Sequence, residues 1–564
     1  MKKIVALLGA TTFLCGALVG CGGSNSGATE EIDKSKTQLY VSVFNGGIGT
    51  EWMNSIEKAF EEANKDVCFE PGTDKKGVQI IATPSTENGK QIATKGLASY
   101  TDEVFFTEII PYYDWAKNGL IADISDVVAS VAATGEGTIA SKMNEQQQSN
   151  LAVGGKYYAL PHYETYMGVS YDVDLFESKL LYFAADPDNG NNGFVTSKTE
   201  ARSMGPDGKT GVENGIDYSL DDGLPSTYEE FFKLCDYMLV RNVTPFVWPG
   251  SAAESYTSYL LEAVSNAYST KTEMMLPLTM DSGEKTVRII NNFESGKPVI
   301  ENVQVDEETG YYVFQKAGQY YALDFLNKVL SNKKYYYTRS TDTTFTQYNS
   351  QEQFIFSSLE NKPIGMLIDG TWWTNEAAGA FERSVSSYGS RAENRRFAWM
   401  PLPRKATATD TVGDEYAMKD ALRSYAFING NVKNENKLKL AKEFLKFCYS
   451  DASLQSFTVS TGVAKGVNYS LTNEQKNSLS YYAQNVWNYK SSYDVVYNLS
   501  NNEIFMNDEN TFITNFWAAK VGGTDYLYPY TAFRDTSANT AEKYFNGMKI
   551  SASSWESQYG KYYK

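Results

Sequence analysis

The residues of this chain whose types suit chemistry are densest in one stretch, GKYYALPHYETYMGVSYDVDLF at 155–176, which holds His162, Tyr163, Glu164 and Tyr166. Aromatic rings present flat faces, and a carboxylate beside them accepts hydrogen bonds in pairs. The same types recur at Asn45 in a glycine-rich loop, at Phe106 and Glu108 ending an apolar run, at Trp248, Glu254 and Tyr256, and at the adjacent Trp372 and Trp373. Stacking surfaces with carboxylate and amide partners make a set that can hold a molecule without reacting with it. Catalytic readings are narrower. His162 is the only histidine, so a zinc centre built on several imidazoles is excluded, and a Ser-His-Asp triad has one possible centre with no G-x-S-x-G motif beside it. Glycoside hydrolysis needs two carboxylates at a set separation, and among 68 acidic residues such a pair stays open.

These side chains need a scaffold. Pro161 cannot donate to a β-ladder, so residues 155–176 read as two short strands joined where the chain leaves one sheet for another, with His162, Tyr163, Glu164 and Tyr166 facing a cleft. Upstream, residues 38–44 (QLYVSVF) read as a strand, Asn45-Gly46-Gly47 as a loop, and 51–64 as a helix with Trp52, Ile56 and Phe60 on one face. The loop has neither the Walker pattern nor G-x-G-x-x-G, so it is not read as a phosphate cradle. A strand over 78–82, a helix over 90–99 and a strand ending near Phe106 and Glu108 continue an α/β lobe. Further on, Ser226 or Thr227 with Glu229 or Glu230 forms a capping box for a helix over 228–239. A strand over 245–248 and a helix over 255–264 follow, and residues 265–360 read as mostly helical.

In order along the chain these pieces resemble the extracellular solute-binding proteins of ABC importers, the sugar-binding family that includes the maltose-binding proteins. The resemblance rests on the Gly-Lys turn and apolar-Pro step of 155–176, on P-S-T-Y-E-E-F followed by P-F at 225–246, and on G-M-L-I-D-G-T-W-W at 365–373. It rests also on F-A-W-M-P-L-P at 397–403 and on the helix K-L-K-L-A-K-E-F-L-K-F-C-Y at 437–449. Thr101 stands where the family has proline, and Thr461-Gly462-Val463-Ala464 departs from its G-x-x-P. The resemblance implies a two-lobed, type II periplasmic-binding-protein-like α/β fold with hinged lobes. The lobes are expected over 38–158 with 420–465, and over 159–419 with 466–564. It implies a binder of carbohydrate, an oligosaccharide by expectation, and not an enzyme. The implied ligand contacts are Asn45, Phe106, Glu108, His162, Tyr163, Glu164, Tyr166, Trp248, Glu254, Tyr256, Trp372 and Trp373, and the implied protein partners are permease subunits. A secreted glycoside hydrolase and a peptide-binding or adhesin lipoprotein remain the alternatives.

The remaining signals concern location and metal. Lys2 and Lys3, an apolar run over 4–19 and Leu18-Val19-Gly20-Cys21 resemble a lipoprotein signal peptide over 1–20, with Cys21 carrying the lipid and residues 21–37 forming a flexible tether. This places the protein on the outer face of a bacterial membrane, as a monomer. A net charge of −17 argues against nucleic-acid partners. Residues 184–224 are rich in Asp and Gly and read as a loop; Asp186, Asp188, Asp207, Asp217, Asp221 and Asp222 are candidate ligands for a structural Ca²⁺, with a solvated loop as the alternative and no other cofactor expected. Cys68, Cys235 and Cys448 allow at most one disulfide, and the last two sit at core-facing helical spacings.

Overall fold

The computed structural model describes residues 31–213, 216–411 and 416–564; the expected signal peptide, the lipidated Cys21 and much of the tether lie outside the described residues. Nine strands form the two principal sheets: β1 (Thr37–Phe44), β2 (Val78–Ser85), β3 (Val104–Glu108), β4 (Ala159–Pro161), β5 (Met167–Asp172), β6 (Thr244–Val247), β7 (Ile364–Gly370), β8 (Phe397–Met400) and β9 (Ser424–Ile428). The first sheet has the order β2-β1-β3-β9-β4, with β1 parallel to both β2 and β3 and β9 antiparallel to β3 and β4. The second has the order β6-β7-β5-β8, with β6 and β7 parallel and β5 antiparallel to β7 and β8. Their apolar runs follow from burial on both faces: β3 and β7 have no exposed residue.

Helices cover the sheets. In the first lobe α1 (Trp52–Ala63) turns Trp52, Met53, Ile56 and Phe60 inward, the apolar stripe that its spacing predicts. In the second lobe α2 (Tyr228–Val240) begins at Thr227, whose hydroxyl accepts from Glu230 N. The Glu230 carboxylate reaches back to Ser226 N instead of to the capping residue, so the expected box closes one residue early. Helix α3 (Ala253–Tyr268) packs on β5 and β7, and α4 (Ala317–Ser331) packs on α3. Helices α5 (Glu435–Phe447) and α6 (Asp451–Thr461) return to the first lobe, and α7 (Tyr481–Ser492) crosses again to lie on β8.

Three departures from the sequence reading have local causes. Strand β4 pairs with β9, so the chain stays in the first sheet through Pro161 and not only to residue 158. Residues 265–360 are not mostly helical throughout, because Val287–Glu294 and Lys297–Val303 form an antiparallel hairpin. Ser295 and Gly296 at its tip both take positive φ (51° and 76°), the pair of left-handed residues that a tight hairpin turn requires. The segment over 184–224 is anchored by buried apolar residues, among them Val195, Leu224 and Phe194, whose ring stacks on Phe183 at 4.5 Å and on Tyr237 at 4.0 Å.

The lobes are joined by three passages of chain laid against one another. The first, 162–166, is hydrogen-bonded to the second through His162 N to Ser424 O (3.1 Å), Thr165 N to Asp420 Oδ1 (3.0 Å) and Ala421 N to Thr165 O (2.7 Å). It is bonded to the third through Glu164 N to Ala464 O (3.0 Å). At its centre the Glu164 carboxylate, fully buried, takes the Lys490 ammonium at 2.5 Å and accepts from the hydroxyls of Tyr166 (2.9 Å) and Tyr497 (2.5 Å). Removing one partner of a buried pair strands the other charge. Lys490→Met is therefore expected to lower unfolding free energy by about 3 kcal/mol, read from the midpoint of urea denaturation; an unchanged midpoint would show that the pair contributes nothing.

Candidate functional site

Where the lobes meet, the loop after β1 is built to be approached closely. Asn45 Oδ1 accepts from Gly49 N (3.2 Å), which folds the loop into a turn. A Cβ on Gly46 would overlap both the Glu108 carboxylate and the Tyr163 hydroxyl, and one on Gly47 would lie 3.1 Å from both Glu376 Oε1 and Trp372 Cδ1. Gly46 thus lets the loop lie against Glu108 and Tyr163, and Gly47 lets it meet the second-lobe side chains of Trp372 and Glu376. Glu108 ends β3, and Ile109 after it holds φ at 54°, a costly conformation for a β-branched residue that turns the chain sharply at the cleft.

Glu108 and Tyr163 are 6% and 2% exposed, and Glu108 Oε1 and Tyr163 Oη have no hydrogen-bond partner among the described residues. Buried polar atoms are usually satisfied, so two orphaned ones where the lobes meet make this the candidate site. Burial, with a smaller contribution from the Glu376 charge, pushes the Glu108 pKa up to about 8. Opposite stand Asp369 on β7 and Glu376 at the end of the short helix Trp373–Glu376. Gln351 Nε2 donates to both, at 3.1 Å to Asp369 Oδ2 and 2.8 Å to Glu376 Oε2, and burial raises both carboxyls. Trp372 completes the wall, with Tyr259 edge-on to it at 5.8 Å and Tyr256 beside Tyr259 at 4.9 Å. Just past Ile109 a cavity of about 210 Å³ continues between the lobes, lined by Met167, Ala263, Asn266 and Leu422 among others.

The residues expected at the site fall in four places. Asn45, Glu108, Tyr163, Tyr256 and Trp372 are brought together at the meeting of the lobes. His162, Glu164 and Tyr166 belong to the hinge instead: Glu164 has both oxygens engaged, and the His162 ring packs among Trp52, Phe106, Tyr163 and Phe457 with Nδ1 2.7 Å from Lys465 Nζ. Burial and the Lys465 charge hold His162 well below the ordinary histidine range, and burial pulls Lys465 down to about 7. Phe106, Trp248 and Trp373 are corrected to core residues. Phe106 lies against Trp52, Trp248 against Tyr336, and Trp373 is surrounded by Phe354, Phe381, Phe397 and Tyr482. Glu254 is exposed and accepts from the Thr531 hydroxyl.

Asp369, Glu376, Gln351 and Tyr259 were missed by the sequence reading. Helical spacing carried part of the signal, since Tyr259 follows Tyr256 by three residues and Glu376 follows Trp372 by four.

Of the six aspartates of the 184–224 segment, Asp207, Asp217, Asp221 and Asp222 lie near enough to feel one another's charge, and burial with the Asp207 and Asp222 charges pushes Asp221 up to about 8. Asp186, Asp207 and Asp217 accept from backbone N–H groups two residues on, Asp221 accepts from Asp207 N, and Asp222 accepts from Thr210 Oγ1. Among the described residues no three acidic, histidine or cysteine side chains are arranged to hold a metal ion. Cys68, Cys235 and Cys448 are all free thiols, Cys68 exposed and the other two buried.

This architecture has known counterparts. The sequence profile of the bacterial extracellular solute-binding proteins matches residues 46–455, and the chain belongs to that family. Its fold is the two-lobed periplasmic-binding type, and its role is to bind a solute, not to transform one. It is similar in fold to maltose-bound MalE3 of T. maritima (12% identity, TM-score 0.51, covering 92% of this chain and 99% of that one). It is similar also to the apo-form of RafE from Streptococcus pneumoniae (14%, 0.50, 92% and 100%) and to a chitin oligosaccharide binding protein (13%, 0.50, 93% and 100%). No curated protein sequence matches it.

The orphaned carboxyl has a pH signature. An acid whose folded pKa is raised contributes stability at low pH that is lost as pH climbs from its unfolded to its folded value, here from 4.5 to about 8. Each tenfold change in that dissociation constant is worth about 1.4 kcal/mol. Glu108→Gln is therefore expected to be more stable than the parent at pH 8 and nearly equal to it at pH 4, measured by denaturation of the unliganded protein. A difference that does not change with pH would show an undisplaced carboxyl.

Proposed function

We propose that this protein is the substrate-binding component of an ABC importer, held to the outer face of the membrane by lipid on Cys21, and that it captures a carbohydrate for delivery to the permease subunits. The observation that carries the reading is the orphaned pair of Glu108 and Tyr163 set opposite Trp372 and Tyr259 across the meeting of the lobes. A sugar has apolar C–H faces, which aromatic rings cover, and a belt of hydroxyls, which carboxylates and phenols take in pairs. The same two-lobed fold holds maltose in the T. maritima protein and serves a chitin oligosaccharide binding protein, so saccharides are the class to test first. Ligand contacts made with both lobes at once favour the closed arrangement, and that difference is what a permease can sense.

Calorimetry and thermal shift on the purified protein against mono- and oligosaccharides, with product analysis of the same samples, test the proposal. Saturable binding with the sugar recovered intact is the expected result; shortened sugar would indicate a hydrolase, and a silent panel would point to another ligand class. Trp372→Ala is expected to weaken binding by about 1–3 kcal/mol through lost stacking area, with the fold retained. Parental affinity in that variant would remove Trp372 from the site.

A further inference from the structure

The cleft carries more acid than hydroxyl recognition needs, one carboxyl from the first lobe and two from the second. Glu108, Asp369 and Glu376 come from three different elements and meet at the same cleft, and none forms an ion pair among the described residues. Glu108 and Asp369 are 6% and 2% exposed, and Gln351, the one neutral group tying Asp369 to Glu376, is fully buried with its own Oε1 unpartnered. Buried carboxylates are normally matched by Lys, Arg or a metal ion, because an unmatched charge out of water is costly. No such match is present here, and the side chains are not arranged to hold a metal ion. Protonation relieves that cost in the free protein, and a ligand that carries its own positive charge can take the place of those protons. An ammonium suits the place: it brings three donors and no acceptor, matching free acceptors on Glu108 Oε1 and Gln351 Oε1, and the aromatic side chains of Trp372, Tyr256 and Tyr259 stand at the same cleft.

We infer that the cleft selects a saccharide bearing a free, protonated amine over its neutral counterpart, with Glu108, Asp369 and Glu376 as the groups that read the charge. This rests on the carbohydrate reading above and narrows it. The raised carboxyl pKa values agree, since a bound cation would favour their ionised forms and expel protons.

The test is calorimetry at pH 7 on the full chain with matched pairs: glucosamine, galactosamine and glucosamine oligomers of two to four units, each beside its N-acetylated form, with maltotriose and raffinose as neutral controls. At least one amine-bearing saccharide is expected to bind tenfold or more tightly than its N-acetylated partner. Its binding enthalpy should also vary with buffer ionisation enthalpy, as proton release demands. Glu376→Gln and, independently, Asp369→Asn should narrow the preference several-fold. Equal or tighter binding of the N-acetylated and neutral saccharides would overturn this inference and leave the carbohydrate reading standing. Absence of binding by every saccharide would overturn both. The matched pairs carry the test on the parent protein, so a variant that fails to fold does not blunt it.

Discussion

Glu164 is the anion around which the lobes are joined. It sits in the first of three side-by-side passages and receives Lys490 and Tyr497 from the chain's last return to the second lobe. Backbone hydrogen bonds from 162–166 to Ser424, Ala421 and Ala464 hold the three passages together. A buried carboxylate at such a point needs complete satisfaction, and it has it: one ammonium and two phenolic hydroxyls. The neighbouring His162 and Lys465 follow a different rule. Both are driven toward their neutral forms by burial among Trp52, Phe106 and Phe457, so this part of the hinge carries little charge of its own.

The contrast between hinge and cleft separates structure from function here. Within one segment, Glu164 is fully bonded while Tyr163, its neighbour, leaves its hydroxyl free beside an equally free Glu108 oxygen. Both are buried, so exposure does not distinguish them; satisfaction does. Packing, not satisfaction, separates Trp373, enclosed by four aromatic rings although its Nε1 has no partner among the described residues, from Trp372, which lies beside Gly47.

Much of this was legible in the sequence where the signal was local. Strand β1, helix α1, the proline-marked crossing and the helix after Thr227 follow from apolar periodicity, capping and the missing proline donor, and the order of motifs implied the two-lobed fold. What was illegible is what depends on distance or direction. Nothing near Glu164 announces Lys490, which reaches it from helix α7, and adjacent tryptophans at 372 and 373 give no hint which one turns to the core. The hairpin over 287–303 was hidden inside a stretch read by its helical neighbours, although its Ser-Gly tip is a turn signal in its own right. In the 184–224 segment, counting aspartates suggested a metal, whereas those side chains bond to nearby backbone and hydroxyl groups, and buried Phe194, Val195 and Leu224 supply the anchor.

The hinge has a consequence for how much of the chain the two lobes need. The part of the chain shared with the wider family spans 46–455, and Glu164 lies inside it, but Lys490 and Tyr497 lie beyond it. The last stretch of chain also lays helices Pro529–Asp535 and Ala541–Met548 against α3 and α4. The neutralisation of the central acid therefore comes from chain that follows the matched span, so the joint between the lobes is completed only when that later stretch has folded against it. A chain shortened ahead of Lys490 would keep a stranded charge at that joint.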